Sequence, residues 1–311
     1  MGTGKGYGKT ILFGEHFVVY GLPSIASALG AFTTADVKVV KGNGWTVSDQ
    51  RPATPGYKEQ KYNEATQSIA NIINHLKVDI ENQRLEISFT GDLIATSGVG
   101  ASAAQCTSLA RALSDTFTLN LEDEKINEAA YEGEKAYHGT PSGIDNTAST
   151  YGGLIWFVRN LVAGKNTMDL LQSPRKMLIV LANTGITAST TEVVADVRRL
   201  KEENPKKIEK IFGKYKKLAE KAKKALLKGD IATIGNLMNQ NHIMLQQITV
   251  SGAINDELVK IVLENGAVGA KLTGTGRGGL VIGLAENEGI QEKIANAIEK
   301  NGYSAWRTTI G

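Results

Sequence analysis

Residues 131–153 read YEGEKAYHGTPSGIDNTASTYGG and join a helical pattern to a dense turn. Glu134 lies near the end of the helical pattern, and Asp145 follows beyond a turn that contains Gly139 and Pro141. Turn residues at this density fix the backbone tightly. A carboxylate held at the far end of such a turn is placed for chemistry, so Asp145 is a candidate catalytic group.

The composition is that of a globular protein, with 311 residues of which 41% are hydrophobic and 22% are charged. This length allows one large domain or two ordinary ones. The formal net charge of +3 is too small to indicate nucleic-acid binding, but it suits a phosphorylated or acidic small ligand. We expect no membrane span and no secretory signal. Cys106 is the single cysteine, so we expect a reducing, cytoplasmic location and a thiol in the core.

The order of predicted elements indicates an α+β fold. Hydrophobic patterns predict strands at 10–13, 17–20, 84–90, 153–158, 177–183, 279–283 and 303–309. They predict helices at 63–76, 102–117, 122–137, 190–228 with an interruption near Pro205, 230–247, 255–265 and 289–300. Residues 41–60 are expected to form an exposed hairpin. Residues 160–174 resemble a junction, which predicts domains at 1–168 and 169–311.

The lysine-rich helical tract is expected to be an ordinary solvated helix face. Its apolar positions Ile208, Ile211, Phe212 and Leu218 recur with helical spacing, which predicts that they are buried.

Three glycine-rich segments resemble known phosphate-binding patterns to different degrees. Thr3 occupies a position where a P-loop needs glycine, and no strand precedes it. Residues 274–279, GTGRGG, match the dinucleotide-binding pattern, but a predicted strand follows where that pattern requires a helix. Residues 97–104, SGVGASAA, run from a glycine turn into a helix, whose free N–H groups can bind a phosphate. An ordinary helix start with flexible glycines is the alternative.

Nucleotide-dependent phosphoryl transfer needs a phosphate cradle, a metal ligand, a group that orients or deprotonates the attacking hydroxyl, and positive charge. The candidates are residues 98–102, Glu134 with Ser102 for Mg²⁺, Asp145 and Lys9. Each residue taken singly also has a structural interpretation. Glu134 could be a helix-surface acid, Asp145 a turn residue, and His16 and His138 core or turn histidines.

Three segments together resemble the signature motifs of the GHMP small-molecule kinases: GKTILFGEH at 8–16, the segment at 97–104, and KLTGTGRGG at 271–279. They occur in the order and at the spacing of that family. Residues 14–21 and 138–146 are most similar to the branch of the family that phosphorylates mevalonate. The resemblance implies a ribosomal-S5-like N-terminal domain, a ferredoxin-like C-terminal domain and, as is frequent in the family, a homodimer.

The same resemblance implies a reaction and a role for each matching residue. ATP with Mg²⁺ would phosphorylate the C5 hydroxyl of (R)-mevalonate, a step of isoprenoid biosynthesis. Asp145 and Lys9 would act on that hydroxyl, and Ser102 and Glu134 would bind the metal. The implied substrate-binding residues are Glu15, His16, Ser142 and Thr190. The implied ATP phosphate-binding residues are Ser97, Gly98, Val99, Gly100, Ala101, Ser102, Gly274 and Gly276.

The chain departs from the family pattern at two positions. Ala101 replaces the first of two paired serines, which removes a hydroxyl but leaves the backbone N–H. Arg277 stands where glycine is common, and its guanidinium could contact a phosphate or lie in solvent.

Two other functions remain open from the sequence. One is a GHMP kinase that acts on phosphomevalonate, although no extra Lys or Arg cluster is visible at 11–30. The other is a catalytically silent ligand sensor, which could dispense with Asp145 or Lys9.

Overall fold

A computed structural model describes residues 1–96, 98–162, 164–186 and 188–311. The chain divides into two compact units: residues 1–9 with 28–152, and residues 10–27 with 153–311. Two long strands contribute residues to both units, β1 (Gly2–Phe13) and β2 (Ser24–Val40). The domain boundary at residue 168 stays a prediction.

The first unit packs helices against a sheet. Its further elements are β3 (Trp45–Asp49), α1 (Tyr57–Gln60), α2 (Tyr62–His75), β4 (Arg84–Gly91), α3 (Ala101–Thr116), α4 (Asp123–His138) and α5 (Ile144–Tyr151). Residues 33–40 of β2 pair antiparallel with β4, and β3 pairs parallel with the other edge of β4.

The hairpin predicted at 41–60 is wrong. Strand β3 lies beside β4 with Trp45 opposite Leu85, and it does not return along β2. The physical reason is that β4 carries Leu85, Ile87 and Phe89 into the core, which makes it an internal strand. The position beside β2 that a hairpin would fill is therefore occupied by β4.

The core of the first unit joins α2, α3 and α4 to the sheet. Ile69, Ile72 and Ile73 recur at helical spacing on α2 and are buried, as the periodicity predicts. Cys106 of α3 is a buried free thiol, which confirms its predicted place in the core. Gly133 of α4 allows close helix packing, because a Cβ there would lie 2.7 Å from the Cys106 Sγ.

The second unit contains an antiparallel sheet in the order β10-β7-β9-β8. Its elements are a 3-10 helix (His16–Tyr20), β5 (Leu154–Val158), β6 (Thr167–Leu171), β7 (Met177–Asn183), α6 (Thr190–Glu203), α7 (Pro205–Lys228), α8 (Ile231–Gln247), α9 (Ala253–Glu264), β8 (Gly269–Thr273), β9 (Leu280–Ala285), α10 (Glu288–Lys300) and β10 (Ser304–Ile310). Helices α9 and α10 share a buried cluster with this sheet. Strand β5 pairs with residues 24–27 of β2 and with β6.

The strand predicted at 17–20 is wrong, because these residues form the 3-10 helix. The aromatic and β-branched residues there indicated a strand. Instead, the Phe17 ring stacks on the Tyr215 ring at 3.8 Å, and the Val18 N–H donates to the Gly14 carbonyl at 2.8 Å. Gly21 ends the helix in a left-handed conformation at φ 70°. Local turn chemistry and one stacking partner therefore override the strand propensity.

Helix α7 confirms the prediction for the lysine-rich tract. Pro205 begins it and Asn204 separates it from α6, so the tract is interrupted where expected. Ile208, Ile211 and Phe212 are buried. The exposed residues include a row at alternating spacings of three and four: Lys207, Lys210, Lys214, Lys217, Lys221, Lys224 and Lys228.

No helix within the described residues combines the length and the hydropathy that a membrane span needs.

Candidate active site

Lys9 and Asp145 form an ion pair in the first unit. The Lys9 Nζ lies 3.1 Å from the Asp145 Oδ1, and the lysine side chain is 4% exposed while the aspartate is 28% exposed. Asp145 lies in the first turn of α5, which starts directly after Gly143 at φ 89°. The backbone N–H of Lys9 donates to the Val99 carbonyl at 2.7 Å. The pair therefore has one anchored cation and one carboxylate that a ligand can reach.

Glu134 lies in α4 and is fully buried close to this pair. The pKa of Glu134 is raised from 4.5 to about 8, chiefly by burial and then by the negative charge of Asp145, although a hydrogen bond from Ser102 and the charge of Lys9 act in the opposite direction. Its Oε2 atom has no hydrogen-bond partner among the described residues. A buried carboxylate oxygen without a donor fits a cation ligand.

His138 is a neighbour of the two acids that the sequence analysis did not place in the site. Its Nε2 lies 3.6 Å from the Glu134 Oε2, one helical turn away. Potential ligand atoms of Glu134, His138 and Asp145 all lie within 4.8 Å of one another. Burial lowers the pKa of His138, and Asp145 counteracts this, so the ring is a neutral donor or acceptor near pH 7. The i, i+4 spacing of His138 from Glu134 was the signal in the sequence that could have placed His138 in the site.

The glycine segment before α3 lies against Lys9. Gly98 and Gly100 adopt φ values of 95° and 72°, which favour glycine. A Cβ at Gly100 would lie 2.6 Å from the Lys9 Cγ, so this position also needs glycine for close approach. Helix α3 starts at Ala101, and no side chain of the described residues caps it. Its first N–H groups are therefore available to an anion.

Two further predicted site residues of this unit, Ala101 and Ser142, lie in different segments. Ala101 is buried in the first turn of α3. Ser142 lies in the turn before α5, where its Oγ accepts a hydrogen bond from the Ile144 N–H at 3.4 Å. Ser97 lies outside the described residues.

Glu15 and Lys271 form a buried ion pair in the second unit. Neither side chain is exposed, and the Lys271 ammonium also donates to the Leu272 carbonyl at 2.6 Å. Burial lowers the pKa of Lys271, and Glu15 counteracts that shift. The pair ties the turn that carries His16 to strand β8. Lys271 belongs to the third motif, but its partner could not be inferred from the sequence.

His16 contacts the loop between β8 and β9. Its Nε2 lies 2.7 Å from the Thr275 carbonyl oxygen, which can only accept, so Nε2 carries the hydrogen. Burial lowers the pKa of His16 to about 4, so the ring is neutral near pH 7. Its Nδ1 is then an acceptor, buried and without a partner among the described residues. This atom can accept a hydrogen bond from a ligand.

Thr275 and Arg277, both in the loop between β8 and β9, contact helix α6. The Thr190 Oγ1, in the first turn of α6, lies 2.8 Å from the Thr275 Oγ1. The Arg277 guanidinium lies 2.5 Å from the Asp196 carboxylate of α6 and donates to the Thr249 carbonyl at 3.0 Å. The Arg277 guanidinium is therefore held by partners within the protein.

Two family models match the chain: "GHMP kinases N terminal domain" over residues 64–153 and "GHMP kinases C terminal" over residues 222–304. The chain is 33% identical to the mevalonate kinase of Pyrococcus horikoshii, over 94% of this chain and 91% of that protein. It is 34% identical to the mevalonate kinase of Thermococcus gammatolerans, over 97% and 94%. A crystal structure of L. major mevalonate kinase in complex with R-mevalonate is 40% identical and superposes with a TM-score of 0.95, over 100% of this chain and 96% of that one. The chain therefore belongs to the GHMP kinase family, and within that family to the mevalonate kinases.

Proposed function

We propose that this chain transfers the γ-phosphoryl group of ATP to the C5 hydroxyl of mevalonate. The observation that carries this proposal is the Lys9–Asp145 ion pair next to the buried Glu134. The similarity to mevalonate kinases over nearly the whole chain supports mevalonate as the alcohol that is phosphorylated. The likeness to a phosphomevalonate kinase of Streptococcus pneumoniae, at 13% identity, concerns the fold alone.

The reaction needs a base, and Asp145 is the proposed one. Its carboxylate accepts the proton of the C5 hydroxyl as that oxygen forms a bond to the γ-phosphorus. The bond from the γ-phosphorus to the bridging oxygen breaks, and ADP leaves with the electron pair. Lys9 orients the carboxylate through the 3.1 Å contact and stabilises the negative charge that develops.

The phosphates of ATP are proposed to bind at glycine segments and a helix N-terminus. The left-handed Gly98 and Gly100 and the uncapped start of α3 support this role, because backbone N–H groups there can point at an anion. The loss of a hydroxyl at Ala101 leaves those N–H groups in place. The roles of Ser97, Gly274 and Gly276 stay predictions from the family resemblance.

Glu134 and Ser102 are the residues that would hold Mg²⁺. Both side chains offer only oxygen atoms, which are the ligands that a hard cation prefers. The Oε2 of Glu134 also has no hydrogen-bond partner among the described residues, so it is available to such a cation. When bound, Mg²⁺ supplies charge neutralisation for the phosphate oxygens. Binding requires an ionised Glu134, so the proton that Glu134 holds near pH 7 must leave first.

Mevalonate is proposed to contact His16, Ser142 and Thr190. The neutral His16 ring offers Nδ1 as an acceptor for a hydroxyl group. Thr190 offers a hydroxyl that already contacts Thr275. Glu15 is proposed to act indirectly, by holding the turn that carries His16, because its carboxylate is paired with Lys271. A homodimer and a cytoplasmic location stay predictions from the sequence.

An ADP-release assay with Mg·ATP tests this function, with mevalonate, phosphomevalonate, homoserine and galactose offered in parallel. Turnover with mevalonate alone is expected. Asp145→Asn should then lower kcat by about 10²–10⁴ while the KM for mevalonate changes little. Asp123→Asn is the matched control, since Asp123 is an exposed carboxylate of the same unit. A loss below about tenfold in Asp145→Asn would remove the base role.

A further inference from the structure

The loop that joins β8 to β9 has a backbone that needs external support. Gly274, Gly276, Arg277, Gly278 and Gly279 all adopt positive φ, at 87°, 83°, 51°, 135° and 66°. Glycines reach such values readily, but they also reach many others, so ordering them costs more conformational entropy than other residues. A loop that binds phosphate must nevertheless keep one geometry before the ligand arrives.

Asn255 supplies such support from the first turn of α9. Its side chain is completely buried, and it contacts both polar groups of one loop residue. The Asn255 Nδ2 donates to the Gly278 carbonyl at 2.8 Å, and the Asn255 Oδ1 accepts from the Gly278 N–H at 2.8 Å. These two bonds fix the orientation of the peptide groups on either side of the Gly278 Cα.

The contact with Gly278 requires a side chain that both donates and accepts a hydrogen bond, as a carboxamide does. A carboxylate could accept from the Gly278 N–H, but it has no hydrogen to donate to the Gly278 carbonyl. An aliphatic side chain would leave both backbone groups buried without a partner. Gly278 itself cannot be replaced easily, because a Cβ there would lie 2.7 Å from the Ile186 carbonyl oxygen.

We propose that Asn255 is a positioning residue for ATP: it holds the 274–279 loop in the geometry that binds phosphate. The inference rests on the proposed function, in which Gly274 and Gly276 bind the phosphates of ATP. Asn255 does not contact the nucleotide itself in this proposal. It acts through Gly278, and its loss widens the range of conformations that the loop adopts.

The test compares Asn255→Asp with a matched variant in the same unit, Gln291→Glu. Gln291 is also a buried carboxamide, and its Nε2 donates to the backbone carbonyls of Ile179 at 2.8 Å and Thr308 at 2.9 Å. Each variant replaces a carboxamide with a carboxylate and loses a donor to a backbone carbonyl. Both are therefore expected to lose stability in urea unfolding, which measures the purely structural effect.

Only Asn255→Asp is expected to change the loop. It should raise the KM for ATP by about tenfold or more, the effect of one buried hydrogen bond. Backbone hydrogen exchange at 274–279 should accelerate in Asn255→Asp and stay at the wild-type rate in Gln291→Glu. An ATP KM within about twofold of wild type with unchanged exchange would overturn the proposal. An equal rise of the ATP KM in Gln291→Glu would also overturn it.

The proposal and the proposed function fail in different ways. A wild-type protein that releases no ADP with mevalonate refutes the function, whereas the hydrogen-exchange contrast still decides the role of Asn255. If Asn255→Asp does not fold, Asn255→Ala and Gln291→Ala give the same comparison without a buried charge.

Discussion

Glu134 should make the stability of the metal-free protein depend on pH in an unusual direction. Its pKa is raised from 4.5 to about 8. The folded state therefore holds this proton more tightly than the unfolded state does. The contribution of Glu134 to stability is complete below pH 4.5 and is lost as pH rises towards about 8. At about 1.36 kcal/mol per pH unit, the loss between about pH 5 and about pH 7.5 is roughly 3 kcal/mol.

The substitution Glu134→Gln removes this titration and keeps the size of the side chain. Urea unfolding of both proteins in EDTA, from about pH 5 to about pH 9, measures the difference in the free energy of unfolding. The free energy of unfolding of the variant should increase relative to that of wild type as pH rises, and the difference should level off above about pH 8. Glu132→Gln on the same helix is the control, because Glu132 is only a partly exposed partner of Lys135. A gap between wild type and Glu134→Gln that stays constant across this range would refute the reasoning.

Further perturbations test the site around Glu134. Because Mg²⁺ must displace the Glu134 proton, its apparent affinity, measured by calorimetry with Mg·ATP, should rise about tenfold per pH unit up to about pH 8 and not beyond; an affinity that is flat with pH would exclude Glu134 as a ligand. Gly100→Ala should lower kcat by about tenfold or more, because the new Cβ would press on the Lys9 Cγ at 2.6 Å. Gly139→Ala, with φ 62° and open space, is the control for backbone strain and should keep its kcat. Arg277→Gly should raise the ATP KM by no more than about threefold, because the part-exposed ion pair of the guanidinium with Asp196 contributes little to holding the loop; a larger rise would contradict this reasoning.

Much of the candidate site could be predicted because its residues follow local signals. Asp145 follows a dense turn, Glu134 ends a helical pattern, and the glycines at 98 and 100 precede a helix start. The structure brings Lys9, Glu134 and Asp145 together as these patterns suggested. Their catalytic roles stay predictions until the variants are measured.

The parts that the sequence analysis missed depend on contacts between distant residues. Asn255 and Gly278 are separated by 23 positions, and nothing local to either marks the pairing. The same holds for Glu15 with Lys271, 256 positions apart. Helix α5 was not predicted, because the glycines and the proline just before Ile144 indicated only a turn.

The row of lysines on α7 has a consequence for the electrostatics of the whole molecule. The helix carries ten Lys and two Glu, a formal charge of +8, in a chain whose net charge is +3, which leaves −5 for the rest. The net charge of +3 is therefore the difference between one strongly basic helix and an acidic remainder of the chain. Seven exposed lysines extend over about 32 Å of helix. The protein should be retained on a cation exchanger through this one helix far more strongly than a charge of +3 spread evenly would allow.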